Sequence, residues 1–443
     1  YRPGIQLSPR TRYTWKVRVW GETESAVSDP AWFETAKMDE PWEAMWITPD
    51  FEDTHTHPIL FKKFELPAEA VSARLYICGL GLYHCELNGN KVGAEHLTPY
   101  CNAYDQWLQY QIYDIRDQLV GGENQLSVML GNGWYKGRYG LQMGSGGSAT
   151  YGDQFALICE LRITLASGKE LTLGTDETWQ AVPAPVIESS IYDGETFDAR
   201  LVQPSLGSKN VACVRALDWD TAKLEARRSL PVCINEEIKP LAVIHTPVGE
   251  SVLDMGQNMV GWVRFKTCAP EGTVITLQYG EVLQNGNFYR DNLRTAKAEY
   301  TFIANGKETI AQPYFTFYGF RYVKVTGWVG ELSPDDFTGC VVYSKMDLTG
   351  EIETSNEKVN QLFRNALWGQ KGNFLDIPTD CPQRDERLGW TGDTQVFSGT
   401  ACFNMDASAF FAKFGYDLGK EQAKFGGMVP YVVPDAHLNR GGS

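Results

Sequence analysis

The residues best suited to chemistry fall in one short stretch: Asp380-Cys381-Pro382-Gln383-Arg384-Asp385-Glu386-Arg387-Leu388-Gly389-Trp390-Thr391-Gly392-Asp393. Four carboxylates, two arginines and a tryptophan share these 14 residues. Breaking a glycosidic bond needs a protonated carboxyl beside the leaving oxygen and a second carboxylate to activate water or attack the sugar. Glu386 has Asp380, Asp385 and Asp393 as near neighbours, and such like charges are expected to keep one carboxyl protonated. Arg384 and Arg387 could hold the other carboxylates ionised or grip sugar hydroxyls, and Trp390 offers a flat apolar face to a sugar ring. On composition alone, a solvated, ion-paired loop accounts for the same residues.

The elements around the stretch must hold it still. Pro378, Pro382, Gly389 and Gly392 forbid a regular helix through it. Asp393 is expected to cap the next helix, with Thr391 as the alternative. From about 350 the hydrophobic period is helical. Thr354-Ser355-Asn356-Glu357 has the capping-box pattern, followed by Val359, Leu362, Phe363, Ala366 and Leu367 at helical spacing. A second helix is predicted through Val396, Phe397 and Ala401, and a third from Asp406 through Phe410, Phe411, Phe414 and Leu418.

Upstream the period is two. Residues 1–38 read as the C-terminal part of a β-sandwich of the fibronectin type III kind, with Trp15, Val17 and Val19 as a core stripe. Short strands at 60–66, 73–78, 83–87, 125–130 and 155–165 argue a sandwich or jelly roll over 42–200, and Asn88-Gly89 is a hairpin turn. Residues 201–235 show little periodicity and read as a connection. A second sandwich is predicted over 236–347, with strands at 251–256, 260–267, 274–279 and 318–325 and turns at Asn285-Gly286 and Asn305-Gly306. Helices begin at 350, so the fold class is β-sandwich modules followed by the first helices of a helical domain. The chain starts at Tyr1 and stops inside that domain, and it is expected to be a fragment of a longer protein.

Composition narrows the partners. A net charge of −15 without clustered basic residues argues against nucleic acid, and no apolar run approaches the ~20 residues of a membrane-spanning helix. Ten cysteines without C-x-x-C or zinc spacing read as buried reduced thiols, Cys78 and Cys85 among them. Gly144-Ser145-Gly146-Gly147-Ser148 lacks a following Lys-Ser/Thr and reads as a surface loop rather than a phosphate loop. His84 and His96 stand alone in strand-rich sequence and are expected to be packed or exposed, not ligands. Compartment and oligomeric state have no signature here.

The 380–393 stretch resembles the signature of bacterial α-L-rhamnosidases, glycoside hydrolase family 78. Further stretches agree in order: 42–47 before Phe61-Lys62-Lys63-Phe64, then 131–137, 192–200 and 253–262. The resemblance implies β-sandwich modules leading into an (α/α)6 barrel, here its start over 350–443. It implies inverting hydrolysis of terminal α-L-rhamnosides, with rhamnose-containing glycans or glycosides as partners and no cofactor or metal required. Glu386 matches the general acid, and Asp380, Arg384, Trp390 and Asp393 match residues that bind the rhamnose ring or support the acid. The family's general base is a downstream glutamate outside this chain, so the chain alone is expected to be inactive. Another α-linked deoxysugar or uronic acid on the same barrel is an alternative substrate. A second alternative is a non-catalytic rhamnose-binding protein, with a site in 42–200 at Trp134 and Tyr135, where packing is the competing reading, and with a bound calcium as some relatives have. Asp254 and Asn258 belong to the resemblance and are explained by turn geometry or by contact with the helical domain.

Overall fold

The computed structural model describes residues 4–140 and 149–436. The predicted loop at 144–148 lies outside the described residues. Residues 12–34 form two small ribbons, Arg12–Trp15 against Ala31–Glu34 and Arg18–Trp20 against Ser25–Val27. The stripe expected to be core is open: Trp15 is 47 %, Val17 48 % and Val19 59 % exposed. Among the described residues no second sheet lies over these ribbons, so the face that an alternating strand normally buries meets water. The unit is fastened to its neighbour by charge, with Glu34 gripping Arg74 and the buried Lys37 ammonium 2.7 Å from the buried Glu160 carboxylate.

The next unit is a ribbon of strands folded back on itself. One half holds Leu108–Asp114, Ala70–Leu80 and Ala156–Leu165; the other holds Pro58–Leu66, Gly122–Gly131 and Leu82–Leu87. Leu75, Ile77, Leu157 and Cys159 face the core between the halves, whereas Tyr76, Cys78, Leu80 and Ile158 point to a second core shared with the rest of the chain. A layer covered on both faces needs apolar residues at every position, which is why these strands read as continuous hydrophobic runs. Asn88 and Gly89, at φ of 54° and 76°, make the predicted tight turn into Asn90–Lys91.

Residues 201–235, expected as a bare connection, carry Ala212–Ala216 and Leu224–Ala226, which join the first sheet, and most of Val232–Ile238, which joins the second. Low periodicity hid them because they are short edge or bridging strands with mixed burial. The second sheet also takes strands from before residue 200. Val186–Ser190 pairs with Gly194–Asp198, which lies parallel to Glu299–Ile303; Val274–Gly280, Tyr318–Thr326, Ser251–Thr267, Phe337–Ser344 and Val232–Ile238 follow in order. The two strands predicted at 251–256 and 260–267 are one strand with an irregularity between Asp254 and Met259. There Asp254 accepts the Gly256 amide and both arms of Arg321, and Asn258 donates to Glu281, so both serve the local geometry of their own sheet. Gly261 sits at φ +139°, where a Cβ would stand 1.9 Å from the Cys340 carbonyl oxygen. Gly261→Ala is therefore expected to cost about 1–3 kcal/mol in a denaturant titration.

Among the described residues the α-helices are a single turn, α1 (Gly133–Lys136), and three longer ones: α2 (Glu357–Asn373), α3 (Thr391–Asn404) and α4 (Ser408–Lys424). The capping box is displaced. Asn356 caps α2 by accepting the Lys358 amide, while Thr354 accepts the Asn356 amide one step earlier. The third helix starts two residues after Asp406, which accepts the Ser408 amide. Phe410 of α4 stacks on Phe374 with ring centres 4.5 Å apart. Much of the apolar face of α2 and α3 is bare: Leu362 is 68 % and Val396 85 % exposed.

Of the ten cysteines, all free, six are buried; Cys213, Cys268 and Cys402 are exposed and Cys233 is intermediate, which corrects the expectation of uniformly buried thiols. No helix among the described residues is long and apolar enough to cross a membrane.

Candidate active site

The 380–390 loop runs from the strand Ile377–Pro378 to α3, and its backbone is pinned from inside. Arg387, in the left-handed region at φ 49° and only 1 % exposed, donates to the carbonyls of Ile191, Phe317, Gln383 and Arg384 at 2.8–3.2 Å. Its guanidinium lies over the Phe317 ring, 4.8 Å from the ring centre. Burial pulls its pKa down. Arg387 therefore stitches the loop to the strands beneath, and the expectation that it would pair with carboxylates or sugar hydroxyls is corrected. The Tyr192 hydroxyl adds a 2.7 Å bond to the Glu386 carbonyl, which gives the 192–200 motif a structural reason.

Glu386 is 7 % exposed. Its Oε2 accepts from Arg294 Nη1 at 2.8 Å and Arg384 Nε at 3.0 Å, and its Oε1 accepts from the Trp390 indole at 3.1 Å. Arg384 reaches on to Asp380 at 3.2 Å, and the other Asp380 oxygen accepts the Leu388 amide. Burial raises the Asp380 carboxyl above its ordinary value. Asp385 is buried, accepts a short bond from the Thr295 hydroxyl, and has Arg138 at 3.7 Å. Asp380 stays beside Glu386, but guanidiniums stand among the carboxylates, and two of them come from distant parts of the chain: Arg294 on Glu386 and Arg138 near Asp385. Ligand atoms of Asp380, Cys381 and Glu386 lie within 4.8 Å of one another. Arg384 spans the two carboxylates, and burial pushes the Cys381 thiol up to about 12. Among the described residues no such trio occurs in the first sandwich.

A cavity of 590 Å³ opens between α2 and α3, with Gln370, Asn373, Phe374, Asp380, Asp393 and Phe397 among its walls. Asp393 does not cap α3: Trp390 is the N-cap and makes no side-chain cap bond, and Asp393 sits exposed in the first turn, where a negative charge suits the helix dipole. The structure thus joins Asp380, Arg384, Glu386 and Trp390 by hydrogen bonds. Asp393 stands apart from that network and shares only the cavity wall with Asp380. Trp134 and Tyr135 are 2 % and 6 % exposed, packed against Phe317 and Tyr104, so neither presents a face to a sugar. His84 bonds to Glu86, and burial drives His96, edge-on to Trp262, down to about 3; both are packing residues.

Sequence reasoning missed Arg294, Thr295 and Arg138. Nothing in the local pattern of 290–295 separates it from any charged loop; only its place about 90 positions from Glu386, across the fold, matters. A further buried carboxylate, Glu195, accepts the amides of Tyr314 and Phe315, and burial lifts it from 4.5 to about 8. A carboxyl whose pKa is raised on folding stabilises the protein when protonated, and that stability is lost as pH rises from 4.5 to about 8. Glu195→Gln is expected to flatten the fall in melting temperature over that window; an unchanged pH slope would show Glu195 is not its source.

Comparison with known proteins adds the family. Residues 68–236 match the alpha-L-rhamnosidase N-terminal domain, 244–343 the bacterial alpha-L-rhamnosidase concanavalin-like domain, and 347–442 the bacterial alpha-L-rhamnosidase 6 hairpin glycosidase domain. Residues 2–39 match the Rha78A-like, N-terminal immunoglobulin domain. An alpha-L-rhamnosidase of Streptomyces avermitilis is 36 % identical over 94 % of this chain and 43 % of its own length. The crystal structure of native α-L-rhamnosidase from Aspergillus terreus superposes with a TM-score of 0.93 at 37 % identity, covering 99 % of this chain and 52 % of that one. The Streptomyces avermitilis enzyme complexed with L-rhamnose gives 0.82 at 34 %, covering 94 % and 43 %. Like the structures it superposes on, this chain is mostly β-sheet with a helical segment after it. The chain belongs to the bacterial α-L-rhamnosidase family. It spans about half the length of the relatives it matches.

Proposed function

We propose that this chain is the front part of an inverting glycoside hydrolase that releases terminal α-L-rhamnose, with Glu386 as general acid. The carrying observation is the Glu386 carboxyl itself, nearly buried, fixed by Arg294, Arg384 and Trp390, in a chain over a third identical to α-L-rhamnosidases across most of its length. Asp380, Arg384, Trp390 and Asp393 bind the deoxysugar or support the acid, and the 590 Å³ cavity beside Asp380 and Asp393 admits a sugar ring. Helices α2 to α4 begin an (α/α)6 barrel; their bare apolar residues, Leu362 and Val396, support further helices packing there. The general base lies outside these residues, at a separation of about 6.5–9.5 Å from the acid that leaves room for a water. No cofactor takes part: Glu386 protonates the glycosidic oxygen and an activated water attacks the anomeric carbon from the far face.

Proton NMR during hydrolysis of an aryl α-L-rhamnoside by the complete enzyme tests this. The β-anomer of L-rhamnose is expected first, and the 443-residue chain is expected to show no turnover. The α-anomer appearing first would exclude inversion, turnover by the chain alone would place the base within it, and preference for another glycoside in a panel would change the substrate.

A further inference from the structure

Two consecutive residues of the second sheet unit hold two consecutive residues of the loop. Arg294 bonds Glu386, and Thr295 bonds Asp385, with Arg138 bridging Thr295 and Asp193 behind them. The Arg294 backbone is at φ 58° and ψ −114°, an unusual conformation for a side chain of this size, and it places the guanidinium on Glu386 Oε2 at 2.8 Å. Arg384 takes the same oxygen at 3.0 Å. Two N–H donors therefore fill Oε2, while among the described residues Oε1 accepts only the Trp390 indole, which leaves it a second lone pair.

We infer that Arg294 is a positioning residue of the reaction, contributed by the β-sheet unit, which clamps Glu386 by Oε2 so that Oε1 carries and delivers the proton. In the transfer, the Oε1–H bond breaks as the glycosidic oxygen gains the proton and departs as an alcohol, and Glu386 is left as a carboxylate facing both guanidiniums. Without Arg294 the carboxyl can rotate about its terminal torsion, which has a broad, soft profile, and either oxygen can face the leaving group. This rests on the proposed role of Glu386 as general acid.

The test compares Arg294→Ala, Arg294→Lys and Glu386→Gln in the complete enzyme on an alkyl and a dinitrophenyl α-L-rhamnoside. A dinitrophenolate leaves without a proton, so only the alkyl substrate reports acid assistance. For Arg294→Ala, kcat on the alkyl rhamnoside is expected to fall ~100-fold with KM within ~2-fold, against less than ~5-fold on the dinitrophenyl rhamnoside; Arg294→Lys is expected to recover ~10-fold of the loss. Equal losses on both substrates, a change in KM alone, or wild-type rates in both variants would overturn the inference. Should the alanine variant fail to fold, the lysine variant carries the same comparison. Wild-type rates for Glu386→Gln on the alkyl rhamnoside would remove the acid assignment and Arg294's role together. An inactive Glu386→Gln beside a normal Arg294→Ala would remove Arg294's role alone.

Discussion

Glu386→Gln in the complete enzyme is expected to lower kcat/KM on unactivated rhamnosides by about 10²–10⁴, the range that a positioned general acid supplies. The amide is the same size but cannot give up a proton, and it fits its surroundings badly. Glu386 has donors on every side: two guanidiniums at Oε2 and an indole N–H at Oε1. A carboxylate accepts from all three. An amide turns its oxygen to the arginines and is left with its own N–H groups facing the Trp390 indole, or the reverse. Steady-state kinetics with an alkyl rhamnoside, paired with a melting curve, separates lost chemistry from lost fold. Activity within about 10-fold of wild type would mean that the acid is another residue.

Lys413→Met is expected to be the most damaging substitution for stability away from the loop. The Lys413 ammonium of α4 is fully enclosed, 2.7 Å from the Cys101 carbonyl, 2.8 Å from Asp376 and 2.9 Å from Asp417. Asp376 also accepts the Cys101 amide, and Asp417 accepts the Trp107 indole, so the group fastens α4 to the first sandwich. Burial alone would lower the Lys413 pKa, but the two carboxylates hold it above its ordinary 10.5. A cation whose pKa is raised on folding keeps its contribution through neutral pH and loses it only as pH climbs past that value. Removing the cation leaves two buried carboxylates facing each other, a loss of about 3–5 kcal/mol. Denaturant unfolding at neutral pH measures it. The triple change Lys413→Met, Asp376→Asn, Asp417→Asn is expected to recover part of the loss, and an unaltered midpoint for Lys413→Met would show that the cluster relaxes into water.

Much of this architecture is legible in the amino-acid sequence. The change of hydrophobic period near 350 located α2, the Asn-Gly pairs located two hairpins, and the composition of 380–393 pointed to the loop that Arg387 and Tyr192 now fix in place. What escaped was non-local. Whether Trp15 is core depends on what lies over it, and whether Trp134 is a sugar platform depends on Phe317, some 180 positions away. Clustered carboxylates promise repulsion until their counter-ions are known. Arg294 supplies one from a loop that no pattern singles out, so the electrostatics of Glu386 could not be inferred from its neighbours in sequence. The same holds for Arg387, whose partners are main-chain carbonyls that any sequence has.

The parallel pairing of Gly194–Asp198 with Glu299–Ile303 has a consequence for biosynthesis. The earlier strand emerges from the ribosome about 100 residues ahead of its partner, which at roughly 5–20 residues per second is a wait of roughly 5–20 s. Through that interval Gly194–Asp198 has only Val186–Ser190 beside it, and its other edge is open to any passing strand. Cutting the gene near codon 200 to make a free-standing module would make that exposure permanent, and would rob the later sheet of two strands at the same time.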